Sequence, residues 1–193
     1  GHEVFVLIIS GHLPPIYSRK SYEETVSEAY SAFSVLGVEK SEFLEIPATM
    51  IGEQPLHEVN GRIMKVVSDF NPHIVLCPYP DRHIDHRLVF DSVMVVTRPV
   101  GVGRDIEIVA AYETLSETHW NAPHIEPNFT PNWVVDISDH IGTKLAALKC
   151  YKSQISDFPG PRSVEAVEAL AKFRGTQAGF GYGEGFHIIR MVS

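Results

Sequence analysis

The chain has 193 residues, a formal net charge of −8 and 44% hydrophobic residues. That length suits one domain with a real core. The acidic balance argues against nucleic acid or an anionic membrane surface as partner, and no apolar run approaches the ~20 residues that cross a bilayer. No basic n-region followed by an apolar h-region marks a secretory signal.

The elements follow in chain order. Glu3 to Ser10 is continuously apolar between its end residues and predicts a buried parallel strand, with Gly11-His12-Leu13-Pro14-Pro15 as the loop at its carboxyl end. Ser21 to Leu36 carries a helical stripe of Val26, Ala29, Tyr30, Phe33 and Leu36 that Gly37 ends. A short strand spans Phe43 to Ile46. His57 to Phe70 is an amphipathic helix with Val59, Ile63, Val66 and Val67 inward, broken by Asn71-Pro72. His73 to Cys77 predicts a second buried strand, Leu88 to Thr97 a helix and Ile106 to Tyr112 a strand. Residues 116–133 show no period and predict a long irregular loop or cap. A brief strand at Val134 to Asp136 precedes a helix capped by Ser138 and running to about Gln154. Ser163 caps a last helix from Val164 to Arg174, and Phe186 to Arg190 closes the chain as a strand. Strands alternating with helices predict an α/β, Rossmann-like three-layer sandwich with a mostly parallel sheet, in a single domain over 1–193. The two cysteines, Cys77 and Cys150, read as buried free thiols in a reducing, cytoplasmic setting.

Chemistry concentrates in Asp81-Arg82-His83-Ile84-Asp85-His86-Arg87, directly after the strand ending at Cys77. Ligands of open α/β sheets sit beyond the carboxyl ends of strands. Imidazole is the commonest metal ligand, and the spacing of His83 and His86 suits one ligand and one catalytic or supporting imidazole. Either Asp81 or Asp85 is placed to hold a ring N–H of either histidine and so fix its tautomer. Arg82 and Arg87 are candidates for a sugar hydroxyl, a phosphate or a carboxylate, with an ion pair to Asp81, Asp85 or Asp91 as the competing role. His12 and Glu113 each follow a strand and are further candidates for lining a substrate crevice.

Several landmarks in the same order resemble the LmbE-like deacetylases, also called the GlcNAc-PI de-N-acetylase (PIG-L) family. Gly1-His2-Glu3-Val4 resembles the start of the family's second strand. Glu28, Ala32 and Leu36-Gly37-Val38 resemble the helix after it, and residues 81–87 the H-P-D-H signature with its flanks. Asp136-Ile137 with Lys144, Ala147, Tyr151, Ser153 and Gln154 resembles the D-I…K…A…Y-x-S-Q segment. Arg174-Gly175 and Tyr182-Gly183-Glu184-Gly185-Phe186 resemble the family's ending. The resemblance implies a zinc-dependent hydrolase removing the acetyl group of an N-acetylated amino-sugar conjugate. It implies that His86 is a zinc ligand, that His83 stabilises the oxyanion or helps protonate the leaving amine, and that Asp85 orients and charge-balances His83. Homo-oligomers are common in such a family. Nothing in the chain matches the family's A-H-P-D-D-E motif, which supplies two metal ligands and the general base. The expectation is that this motif and the first strand lie upstream of Gly1. Thr25 stands where the family has an arginine, Ile84 where it has the signature proline, and Gly183 and Gly185 where it has alanines. Competing readings are an amidohydrolase of the same architecture on another N-acyl substrate, and a catalytically silent protein that binds a sugar or a partner.

Overall fold

The computed structural model describes residues 1–122 and 124–192. The elements run β1 (Phe5–Gly11), α1 (Arg19–Leu36), β2 (Lys40–Pro47), α2 (Leu56–Phe70), β3 (Ile74–Pro78), α3 (Ile84–Val96), β4 (Ile108–Tyr112), β5 (Trp133–Asp136), α4 (Ile141–Leu148), α5 (Val164–Ala178) and β6 (Gly183–Met191), with single 3₁₀ turns at Ile51–Glu53, Gly101–Gly103 and Thr118–Trp120. The strands form a two-stranded sheet, β1-β2, and a four-stranded sheet ordered β3-β4-β6-β5. The chain divides into two compact units, residues 1–48 with 134–184 and residues 49–133 with 185–193. Among the described residues no helix is long and apolar enough to cross a membrane.

In the first unit β1 and β2 are parallel, joined by α1. The register slips between Ile8 and Ser10, so that Ile8 faces Phe43 and Ser10 faces Ile46. Glu45 takes up the extra residue with a left-handed φ of 53°. Helix α1 begins earlier than its apolar stripe, because Ser18 accepts the Ser21 N–H as N-cap; Gly37, at φ 71°, ends it and donates to the Phe33 carbonyl. Its buried face is Tyr22, Ala29, Ala32 and Phe33. Tyr30 and Leu36, expected inward, are exposed instead. The helix predicted from Ser138 to Gln154 is the shorter α4. Ser138 does not cap it: its hydroxyl bonds Asp136 Oδ1 and accepts the Tyr182 N–H. The helix stops by Lys149, and farther on Ser153 gives both its amide and its hydroxyl to the Glu28 carboxylate at 2.7 Å. Ser163 caps α5 through the Ala166 N–H, as expected, but the helix continues past Arg174 to Ala178, where Gly179 turns left-handed.

In the second unit β3 and β4 are parallel, and β6 runs antiparallel to β4, pairing Tyr112 with Phe186 and Ala111 with His187. Helix α2 buries Val59, Ile63, Val66 and Val67 as its periodicity requires. It packs on α3, which also covers β3. The β3 run is not buried on both faces, as a continuous apolar stretch suggested. Val75 and Cys77 share one face, while Ile74 and Leu76 alternate onto the other and are 42% and 46% exposed. Cys77 is buried, whereas Cys150, read as buried, is only half-buried.

Candidate metal-ligand and catalytic site

The helix that carries the signature starts at Ile84 rather than Leu88. His83 is its N-cap, with extended backbone, and its Nδ1 accepts the Asp85 N–H at 3.2 Å. A side-chain acceptor at this position relieves one of the orphan amides of the first turn, so the imidazole replaces the usual Ser or Asp. With Nδ1 used as an acceptor, a neutral His83 carries its proton on Nε2. His86 lies on the first turn of α3. Its ring is stacked on that of His83, with centroids 4.8 Å apart and planes inclined by 26°.

Asp81 organises the segment from beneath. Its side chain is fully buried. Oδ1 accepts the His83 amide at 3.0 Å and faces His86 Nδ1 at 2.9 Å, while Oδ2 accepts the Thr118 hydroxyl at 2.7 Å. Burial opposes ionisation of Asp81, but the hydrogen bonds from His86, Thr118 and the His83 amide outweigh it and hold the carboxyl below its ordinary range. An ionised carboxylate only accepts, so the His86 ring donates to it through Nδ1. Of the two carboxylates the sequence left in play, Asp81 is thus the one bonded to His86. Asp85 is buried, and its Oδ2 accepts the Thr49 N–H at 2.8 Å.

The irregular segment after β4 closes over this turn. Arg82 meets Glu126 Oε2 at 3.1 Å and Arg87 meets Glu126 Oε1 at 3.0 Å. Arg87 also donates from Nε to the Asp81 carbonyl, and the Ala122 N–H joins Glu126. The Glu126 carboxyl is held below its usual range by the Ala122 amide first, then by Arg82 and Arg87. Thr118 accepts the Thr114 N–H as it donates to Asp81. Glu113, candidate for the crevice, pairs with His119 at 2.9 Å. His12 belongs to the other unit, where its ring lies 4.3 Å from that of Tyr17. An open hollow of about 590 Å³ in the first unit, lined by Arg19, Tyr22, Tyr30, Phe43 and Glu45 among others, contains none of the residues singled out above.

Thr118 and Glu126 were not singled out from the sequence. Their partners in the signature turn lie 37 to 44 positions away, which no spacing rule reaches. The pair of arginines flanking the signature was the one available hint that a distant carboxylate stands opposite.

The donor chemistry of His86 suits a borderline divalent ion such as zinc: an imidazole with one nitrogen bonded to a buried carboxylate. Among the described residues, however, no group of three or more His, Cys, Asp and Glu is arranged to hold a metal. His86 therefore fits one corner of such a site and not the whole of it.

Comparison with known proteins gives matches in both sequence and fold. Residues 9–97, which include the whole signature turn and α3, match the family model described as GlcNAc-PI de-N-acetylase, PIG-L. A diacetylchitobiose deacetylase of Thermococcus kodakarensis is 26% identical over 199 residues, covering 96% of this chain and 72% of that protein. The N,N'-diacetylchitobiose deacetylase of Pyrococcus horikoshii, solved with its inhibitor MPG, has the same fold at a TM-score of 0.72 and 24% identity, over 97% of this chain and 73% of that one. A conserved protein of Thermus thermophilus follows at a TM-score of 0.70 and 24% identity, over 97% and 82%. The resemblance carried by the motifs is thus borne out: residues 9–97 are a PIG-L (LmbE-like) match, and the chain has the mixed α/β fold of LmbE-like deacetylases.

Proposed function

We propose that this protein is a zinc-dependent N-deacetylase that hydrolyses the acetamide of an N-acetylated amino-sugar conjugate to free amine and acetate. The observation that carries this reading is the His83–His86 pair at the start of α3, with His86 tied through Nδ1 to buried Asp81. The deacetylase names of its relatives support the substrate class. His86 would hold the divalent ion through Nε2, beside donors that the described residues do not supply. When bound, such an ion polarises the amide carbonyl and lowers the pKa of water towards ~7.

The chain's own residues have separate tasks. His83 offers an Nε2–H that suits an oxyanion, a position where one preorganised donor contributes ~3–4 kcal/mol. The same ring is placed to support protonation of the departing amine. Asp85 fixes the His83 ring through its backbone amide, and its side chain anchors the turn to Thr49. Arg82, held by Glu126, is the substrate-facing cation, and Glu113 of the same unit is a further substrate contact. The reading places the enzyme in the cytoplasm, with other divalent ions as possible substitutes for zinc.

Acetate release from a panel of N-acetylglucosamine conjugates, with and without a chelator, tests this. Chelator-sensitive release is expected. Release that survives complete removal of metal would refute the metal role, and no release from any conjugate by metal-loaded protein would refute the activity.

A further inference from the structure

We infer that Asp81 is the positioning residue of His86: it fixes the ring as the Nδ1–H tautomer and presents Nε2 as a lone pair. The significance of that lone pair for metal rests on the deacetylase reading; the tautomer itself does not. Three observations converge. The His86 Nδ1 to Asp81 Oδ1 distance is 2.9 Å, and the carboxylate side chain is fully buried while the ring is 22% exposed. Asp81 cannot swing away, because the His83 amide shares Oδ1 and the Thr118 hydroxyl holds Oδ2. Its own backbone is also held, since Arg87 Nε donates to the Asp81 carbonyl and the Asp81 amide donates to the Tyr79 carbonyl at 2.8 Å.

An unrestrained neutral imidazole in water favours the opposite tautomer, with the proton on Nε2. In that form the outward nitrogen of His86 would be a donor and unable to bind a cation. The partner of one ring nitrogen decides which nitrogen is left to coordinate. Asp81 therefore converts a histidine that would present N–H into one that presents a base. Asp85 does not take this part: its amide meets the other ring, at His83 Nδ1. The result is two stacked imidazoles with opposite tautomers, His83 ending in a donor and His86 in an acceptor.

The test uses the whole protein with ¹⁵N-labelled histidine and long-range ¹H–¹⁵N correlation spectra, His86 being assigned by the loss of its signals in His86→Gln. In metal-free wild type at a pH where the ring is neutral, the Nδ1–H form is expected. Asp81→Asn retains an oxygen acceptor and should keep that tautomer; Asp81→Ala should shift it to the Nε2–H form or to averaging. Zinc affinity, read by competition with a chelating dye, should fall about 10- to 100-fold in Asp81→Ala and recover largely in Asp81→Asn. An Nε2–H ring in wild type overturns the inference without any variant, so it stays decidable even if Asp81→Ala does not fold. An unchanged tautomer in folded Asp81→Ala overturns it as well. If the tautomers behave as expected but the wild type takes up no zinc, the positioning role stands and the deacetylase reading fails.

Discussion

Thr118→Val tests whether the loop after β4 is bolted to the signature through Asp81. The threonine is 3% exposed. Its hydroxyl donates to Asp81 Oδ2 at 2.7 Å and accepts the Thr114 amide at 2.7 Å. Valine matches its shape, so little cavity forms and the loss is polar. A hydrogen bond to a charged acceptor contributes ~1.5–3 kcal/mol, and the deserted amide adds about 1 kcal/mol, for a total of roughly 2.5–4 kcal/mol. With a urea slope of ~2 kcal/mol per molar, the midpoint falls by about 1–2 M. Urea titration of metal-stripped wild type, Thr118→Val and Thr118→Ser measures this; the serine variant keeps the hydroxyl and should lose much less. The pH dependence has a definite sign. Asp81 has a depressed folded-state pKa, so its contribution is complete above the unfolded value of ~3.9 and is lost as the pH falls through the folded value. The Thr118→Val deficit should therefore be constant from neutrality to mild acid and shrink only below ~3.9. A deficit under about 0.5 kcal/mol at neutral pH would refute the reasoning.

Two further expectations concern the site's rim and the thiols. Arg82→Ala removes an exposed guanidinium that pairs with Glu126, so KM for a turned-over conjugate should rise several-fold with kcat within about twofold; a large fall in kcat at unchanged KM would contradict a binding role. Burial pushes the Cys77 thiol up to about 12, and it donates to the Ala110 carbonyl, whereas Cys150 is partly open. A thiol reagent should modify Cys150 first and reach Cys77 only on unfolding, and rapid loss of both in native protein would show that β3 is not packed as described.

The parallel α/β arrangement and the α2 core face were legible because periodicity and Pro or Gly stops are local signals. What failed was local signal captured by distant partners. Ser138 looks like a cap for α4, but Asp136 and Tyr182 occupy it. The start of α3 was misplaced because histidine is an unusual N-cap, and Asp85, His86 and Arg87 add no apolar position to a helical stripe. The continuous apolar run of β3 said nothing about which of its faces would be covered. In the site, His86, His83 and Asp85 were marked by their own spacing. The choice between Asp81 and Asp85 as the partner of His86 depended on backbone geometry at the helix start, and Thr118 and Glu126 depended on the path of a loop without periodicity.

The most direct trial of the account is metal content and acetate release measured side by side on the wild type and on His86→Gln. With the donors that the described residues do not supply in place, the wild type should retain one divalent ion per chain and deacetylate an N-acetylated amino sugar, and the folded variant should lose both. A folded His86→Gln variant that keeps its metal and its turnover would show that this imidazole grips nothing the reaction needs.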